Sequence, residues 1–494
     1  MTGELDYYAI LGVPRNASEE DIRRAYREAA LRLHPDQNEG PQATELFLQV
    51  NRAYELLIDS SQRESYDLEL MEFEAKMISK ASFKAKVIQS RAKLLQLDEP
   101  QVHYLLIDIE PSQDLPEIRP PINLSIVIDR STSMRGERLD HLRTATLKIM
   151  KGLTEGDSTS IVAFSDRAEL IVSPDQAKDM SVARARLSQL QAGGGTEIAQ
   201  GLRMGLGEIQ RNFSRDGINH LILLTDGRTY GDENECIQMA DISADQGIII
   251  HGVGIGSDWS DRLLDDLASR TGGGVAFLDT PEAIMGVMED IFEKLGRTVA
   301  SRMRLEGSVA QQVDLRSAFR LLPEPMPMGD SLPMTLGNLP RDGIVRVLLE
   351  MVIHPIGKIS ELTLAHFTID GDILGKGNEN IALPLEVRIP VSEDPDMDPP
   401  SEEITAALSQ ISLYRMQEKA RHEAELGQSA QAARRLENLA TQLLASGERE
   451  LAKSALNEAD RLAHSRRLSS EGEKVLKYGT RALMIPARTG EGES

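Results

Sequence analysis

The alternation of apolar and polar positions divides the chain into four regions. In the first, Ile22, Ala25, Tyr26, Ala29 and Leu33 recur at helical spacing, and Phe47, Val50, Tyr54 and Leu57 do so again further on. Ser18 followed by Glu19, Glu20 and Asp21 marks a helix start, because a hydroxyl can satisfy free N–H groups and acids suit the positive end of the helix dipole. Pro35 ends that helix, since it has no N–H to give. Residues 5–68 thus predict a helical hairpin. Residues 69–98 are rich in Glu, Lys, Ala, Gln and Leu and hold neither Pro nor Gly, which predicts a connecting helix.

The second region, 101–296, changes period. Short apolar runs at Leu124–Ile128, Ser160–Phe164, Leu221–Leu224 and Ile248–Ile250 alternate with helical patterns near 138–151, 176–190, 197–211, 233–245 and 259–270. Such alternation predicts a doubly wound, Rossmann-like α/β domain with a parallel sheet. Residues 297–392 read as a small β-rich, sandwich-like region, with a strong strand at Val345–Ile353 and a weaker one at Leu362–Phe367. A further strand candidate, Val102–Ile109, precedes the α/β pattern. Residues 101–120 are therefore candidates for the β region, which would make the α/β domain an insertion in it. The Pro-dense acidic stretch 393–401 reads as a linker. Residues 402–485 are helical again, with Leu426-Gly427 and Ser446-Gly447 as breaks between Ala-rich helices. The whole is a multidomain α and α/β chain.

At about 150 residues per domain, 494 residues suggest roughly three domains. The formal charge of −23 argues against nucleic acid as a partner, because phosphate contacts need a basic face. One cysteine, Cys236, excludes an intramolecular disulfide and any cysteine-cluster metal site. No apolar run reaches the ~18–20 residues of a membrane span, and the acidic start Met1–Asp6 does not resemble a signal peptide. The expectation is a soluble, cytoplasmic protein.

Against that acidic background, residues 21–34 are locally basic, with Arg23, Arg24, Arg27 and Arg32 against Asp21 and Glu28. Arg23 and Arg27 are four apart and share a helix face. The tripeptide His34-Pro35-Asp36 follows. Asp6-Tyr7-Tyr8-Ala9-Ile10-Leu11-Gly12-Val13 precedes the basic helix, Asn51-Arg52-Ala53-Tyr54-Glu55-Leu56-Leu57 lies in the next one, and Ser65-Tyr66-Asp67 closes the unit. This stretch resembles a J-domain. The resemblance implies that His34, Pro35 and Asp36, with Arg23, Arg24 and Arg27, dock on a DnaK-type chaperone and stimulate its ATPase. Ser61-Gln62-Arg63-Glu64 departs from the pattern, since many J-domains are more basic there.

A second constellation sits at strand ends. Strand 124–128 runs into Asp129-Arg130-Ser131-Thr132-Ser133. Gly193-Gly194-Gly195 presents Thr196 at a helix start, and Leu221–Leu224 runs into Thr225-Asp226-Gly227. Loops after strand C-termini form the crevice of an open parallel sheet. Carboxylates and hydroxyls are hard oxygen ligands that suit Mg²⁺ or Ca²⁺. The three loops resemble those of a von Willebrand factor A domain with its metal-ion-dependent adhesion site. That resemblance implies Asp129, Ser131, Ser133, Thr196 and Asp226 as ligands of Mg²⁺, with Ca²⁺ or Mn²⁺ as alternatives, and a partner protein whose acidic side chain completes the coordination. Glu197 reads as a helix cap, and His251 as a buried strand-end histidine.

The expectation is a non-enzymatic adaptor joining a DnaK-type chaperone to a protein partner. The alternative is a cytosolic assembly factor acting with a MoxR-like AAA+ ATPase, with the J-domain secondary. A phosphatase centred on Asp129 is disfavoured, because such enzymes need a second Asp where Ser131 stands.

Overall fold

The structure, a computed structural model, describes residues 7–485 except positions 14, 16, 34–40, 81, 114, 116–117, 358, 376–378 and 395–398. Four helices come first: α1 (Tyr7–Leu11), α2 (Glu19–Leu33), α3 (Pro41–Ile58) and α4 (Ser60–Lys80). Ser18 and Asp21 cap α2 reciprocally: the Asp21 N–H donates to Ser18 Oγ at 3.2 Å, and the Ser18 N–H to Asp21 Oδ2 at 3.2 Å. The apolar stripes read from the sequence meet in one core of Tyr8, Leu11, Ile22, Ala29, Val50, Ala53 and Leu57. Tyr26 stacks on Tyr54 with centroids 4.1 Å apart and donates from Oη to Asn51 at 2.8 Å. Tyr8 donates to Asp67 at 2.6 Å and accepts from Arg63 Nε at 2.8 Å, which clasps α1 to α4. Burial first, and the Asp67 carboxylate next, push the Tyr8 hydroxyl up to about 12.

The connecting helix expected over 69–98 is only partly formed. α4 stops at Lys80, and the chain turns into β1 (Phe83–Gln89), β2 (Leu94–Leu95) and β3 (Gln101–Pro111). Lack of Pro and Gly says nothing about period, and Phe83-Lys84-Ala85-Lys86 has a period of two: Phe83 is buried while Lys84 and Lys86 are exposed. β1 pairs antiparallel with β3, from Phe83 opposite Pro111 to Gln89 opposite Leu105. No long spacer therefore separates the helical module from the rest, and α4 packs beside the strand Glu379–Ser392.

After β3 come β4 (Ile122–Asp129), the 3₁₀ turn Thr132–Met134, α5 (Glu137–Lys151), β5 (Ser158–Phe164), β6 (Ala168–Val172), α6 (Pro174–Ala177), α7 (Met180–Ser188) and α8 (Ile198–Arg211). β7 (Ile218–Thr225), α9 (Glu233–Gln246), β8 (Ile248–Ile255), α10 (Asp261–Thr271), β9 (Val275–Leu278) and α11 (Ala283–Gly296) follow. The sheet order is β6-β5-β4-β7-β8-β9, parallel except for β6. Every residue of β4, β7 and β8 is buried, as expected of strands covered on both faces. α5, α7 and α11 cover one face, and α8, α9 and α10 the other.

The chain then supplies β10 (Thr298–Val309), β11 (Val313–Leu322), β12 (Met326–Gly329), β13 (Met334–Pro340), β14 (Val345–Ile353), β15 (Glu361–Ile373) and β16 (Glu379–Ser392). Two five-stranded sheets, β1-β3-β14-β11-β12 and β13-β10-β15-β16-β2, pack over one core. β3 pairs with β14 along its length, so the α/β domain is an excursion between β3 and β10 of this sandwich. Residues 101–111 thus lie in the sandwich.

Four helices close the chain: α12 (Glu402–Glu425), α13 (Ser429–Ala445), α14 (Arg449–Ser465) and α15 (Ser470–Ala482). Gly427 and Gly447 stop α12 and α13 in the left-handed region, at φ 77° and 89°. These helices dock on the α/β domain through buried charge. Arg481 makes a two-point pair with Asp265 at 2.8 and 2.9 Å, and Lys477 bridges Asp265 at 2.7 Å and Asp261 at 2.5 Å. Burial alone would raise the Asp265 carboxyl, but Arg481 and Lys477 outweigh it and hold it below its usual range. That stabilisation is present above the unfolded pKa of about 4 and is lost as pH falls through the lower folded value. Asp265→Ala leaves Arg481 buried without its acid and Lys477 with Asp261 alone, and should cost about 3–5 kcal/mol. Fluorescence of the single tryptophan, Trp259, which packs on Tyr478 at 5.7 Å, reports this in a denaturant titration. An unchanged midpoint would show the network to be dispensable.

Candidate functional site

β4 lies between β5 and β7, so the chain reverses its direction of travel across the sheet at the β4/β7 boundary. Ligands of open α/β sheets gather at such a boundary, beyond the strand C-termini. Asp129 ends β4 with its side chain fully buried. Its Oδ1 accepts from the Ser131 N–H at 2.7 Å, and its Oδ2 from the Thr225 hydroxyl at 2.6 Å. Ser131 Oγ lies 3.0 Å from Ser133 Oγ, which donates to Asp226 Oδ1 at 2.6 Å. Four of the five expected ligands are thus joined in one hydrogen-bonded chain.

Thr196 arrives on the glycine loop. The Gly193 N–H donates to Arg130 O at 2.7 Å, the Thr132 N–H to Gly194 O at 3.2 Å, and the Gly195 N–H to Asp166 Oδ1 at 2.8 Å. Gly194 has φ 89°, and a Cβ there would stand 2.6 Å from Asp166 Oδ2, so a side chain would push the loop away. Gly227, next to Asp226, would bring a Cβ within 2.8 Å of Thr196 Oγ1. The fifth expected ligand, the Thr196 hydroxyl, therefore lies against the Asp226 loop.

Glu197 differs from expectation. It holds the cap position of α8, but its side chain makes no capping bond. The next loop caps instead: the Ile198 N–H donates to Thr229 Oγ1 at 3.2 Å, and the Ala199 N–H to Asp232 Oδ2 at 2.9 Å. His251 lies in mid-strand, buried, with its Nε2 3.0 Å from His220 Nδ1. Two residues of the centre escape a reading of the sequence. Thr225 orients Asp129, and its place just before Asp226 is the only signal for it. Arg138, in the first turn of α5, pairs with Asp226, and no motif marks it.

The donor set fits a hard divalent cation. Among the described residues no group of three or more His, Cys, Asp or Glu could hold a metal, so an ion here would rely on hydroxyls as well as the two acids. Asp129 has hydroxyl and N–H partners but no cation among the described residues, and burial pushes its carboxyl up to about 6. A buried carboxylate without a counter-charge suits an incoming cation.

On the helical module, Arg23, Arg24 and Arg27 are exposed along α2. Arg23 lies 3.5 Å from Glu19, and Arg24 2.5 Å from Asp21. His34, Pro35 and Asp36 lie outside the described residues.

Comparison with known proteins defines the classes of domain present. Residues 6–67 match the DnaJ domain, residues 123–293 the von Willebrand factor type A domain, and residues 402–486 the Sll0103-like, C-terminal alpha-helical domain. The chain thus joins a J-domain to a VWA domain, both non-enzymatic kinds of domain. An uncharacterized protein, sll0103, of Synechocystis sp. is 25% identical over 355 residues, spanning 68% of this chain and 82% of that protein. Chaperone protein DnaJ 2 of Thermus thermophilus is 52% identical over 67 residues, but these are 14% of this chain and 24% of that protein. Beyond the J-domain, the chain does not span the length of such chaperones. Among solved structures, a von Willebrand factor type A protein from Catenulispora acidiphila shares the fold with a TM-score of 0.65 at 17% identity, covering 81% of this chain and 96% of that one. The ArnB paralog VWA2 from Sulfolobus acidocaldarius gives a TM-score of 0.50 at 15% identity, covering 82% of this chain and all of that one. Among the described residues, no helix is long and apolar enough to cross a membrane.

Proposed function

We propose that the chain is a cytoplasmic co-chaperone adaptor. Its J-domain docks on a DnaK-type chaperone through His34, Pro35, Asp36 and the Arg23, Arg24 and Arg27 face, and stimulates ATP hydrolysis by that partner. Its VWA domain grips a second protein through Mg²⁺ held by Asp129, Ser131, Ser133, Thr196 and Asp226. The observation that carries this reading is the convergence of those five oxygen-bearing side chains from three loops at one sheet boundary. Bound Mg²⁺ would supply an open coordination position for an acidic side chain of the partner. This chain's own part is to hold the ligands in place: Thr225 fixes Asp129, and the glycine loop sets Thr196 against Gly227.

Affinity capture on the immobilised full chain in Mg²⁺, followed by elution with chelator, tests the reading. The VWA partner should be released from the parent by chelator and should not be captured by Asp129→Ala, while a DnaK-type chaperone should be captured by both chains in Mg²⁺. Recovery of an AAA+ ATPase without a chaperone would support the assembly-factor alternative instead.

The docking face should act by charge. Arg23 and Arg27 are exposed, and exposed charges are screened over about 8–10 Å at ordinary ionic strength. Reversing both to Glu should weaken DnaK binding at least about tenfold, mainly through the on-rate. Added salt should weaken the parent and have little effect on the variant. An affinity unaffected by salt in the parent would exclude a charge-steered contact.

A further inference from the structure

We propose that Arg138 is a built-in cation that competes with the divalent ion for Asp226, and so sets the metal concentration at which the site loads. This inference rests on the metal-binding reading above. The Asp226 side chain is wholly buried, whereas Arg138 is 37% exposed. A buried carboxylate needs a positive partner, and Arg138 Nη1 provides one on Oδ2 while Ser133 Oγ occupies Oδ1. The same Nη1 lies 3.4 Å from Ser133 O, so the guanidinium touches two of the five ligand residues. On its far side it approaches the end of β8, where a Cβ on Gly256 would stand 3.1 Å from Nη2. Arg138 therefore spans the crevice from the first metal loop to the third strand end.

The neighbouring cations do not share this position. Arg130 pairs with Glu169 at 3.8 Å, and Arg228 donates to Asp258 O at 3.1 Å. Among the described residues, Arg138 is the only cation bonded to an expected ligand. A guanidinium does not lose its proton at working pH, so a divalent ion that takes Asp226 Oδ2 meets a fixed like charge there, and loading favours the conformer in which this side chain swings out. The swing is open to it. The residue is partly solvated, and among the described residues its side-chain hydrogen bonds run only to Ser133 and Asp226. In the metal-free protein Arg138 would stabilise the ligand loops, and in the loaded protein it would be displaced and solvated.

Calorimetric titration of the full chain with Mg²⁺ alone tests this, with Arg138→Gln, Arg138→Lys and Asp129→Ala beside the parent. Arg138→Gln should bind Mg²⁺ roughly tenfold more tightly, a change worth about 1.4 kcal/mol. Its chelated form should melt below the chelated parent, and Mg²⁺ should raise its melting temperature by more. Arg138→Lys, which keeps the charge and loses the two-sided reach, should fall between them, and it provides a folded comparison if the glutamine variant unfolds without metal. Binding by Arg138→Gln where the parent shows none would be the strongest support. Equal or weaker affinity in a folded Arg138→Gln chain would overturn the role of Arg138 alone. Absence of heat from all four proteins, or Mg²⁺ binding by the parent that Asp129→Ala retains in full, would overturn the metal reading and this inference with it.

Discussion

His34→Gln should reduce stimulation of a DnaK-type ATPase to the unstimulated rate while leaving the J-domain folded. Among the described residues, the helical pair has a core of its own. α2 and α3 are joined by Ile22, Ala29, Val50, Ala53 and Leu57, by the Tyr26–Tyr54 stack at 4.1 Å and by the Tyr26–Asn51 bond at 2.8 Å. The other end is fixed by Tyr8, Arg63 and Asp67. Glutamine keeps a polar side chain of similar reach but loses the imidazole, so a lost response would point to contact chemistry rather than folding. Single-turnover hydrolysis with excess J-protein, with circular dichroism of both chains, separates the two. A variant that stimulates as well as its parent would remove His34 from the docking surface.

The candidate site is legible because the strands that end at Asp129 and Asp226 are buried, and buried strands are continuous apolar runs. The runs Leu124–Ile128 and Leu221–Leu224 by themselves place Asp129 and Asp226 at strand ends. β1 is not legible in the same way. Lys84 and Lys86 suit an exposed helix face as well as an exposed strand face, and only pairing with β3, about twenty residues on, decides between them. The C-terminal helices show the limit more sharply. Lys474, Lys477 and Arg481 lie at i, i+3 and i+7, which in sequence marks a solvated helix face. All three are buried. Their partners are the carbonyls of Ser257 and Trp259 and the acids Asp261 and Asp265, more than two hundred residues earlier. Arg138 escapes for the related reason that its partner, Asp226, is 88 residues away and belongs to a motif complete without it.

Asp129 offers the larger effect at the metal centre, where its replacement should abolish Mg²⁺ binding. It lies at the first strand end, contacts Ser131 directly and is held by Thr225, so its loss disturbs the ligand chain at its root. Asp129→Ala should give no heat on titration with Mg²⁺. Ion at a hundred times its dissociation constant should stabilise the parent by about 2.7 kcal/mol and leave the variant unmoved. The chelated protein should respond in the opposite sense to Asp129→Asn. Among the described residues the carboxylate has no cation, and burial pushes it up to about 6, so its charge weighs against the metal-free fold at neutral pH. An amide of the same shape removes that charge. Its oxygen can still accept from the Ser131 N–H, and its NH₂ can donate to Thr225 Oγ1, whose own proton has Gly227 O in reach at 3.3 Å. The chelated asparagine variant should therefore melt above the chelated parent, and Mg²⁺ should reverse the order. Thermal melts of both proteins, with chelator and with Mg²⁺, give the four numbers required. An unchanged order on adding Mg²⁺, or full affinity in Asp129→Ala, would take Asp129 out of the ligand set.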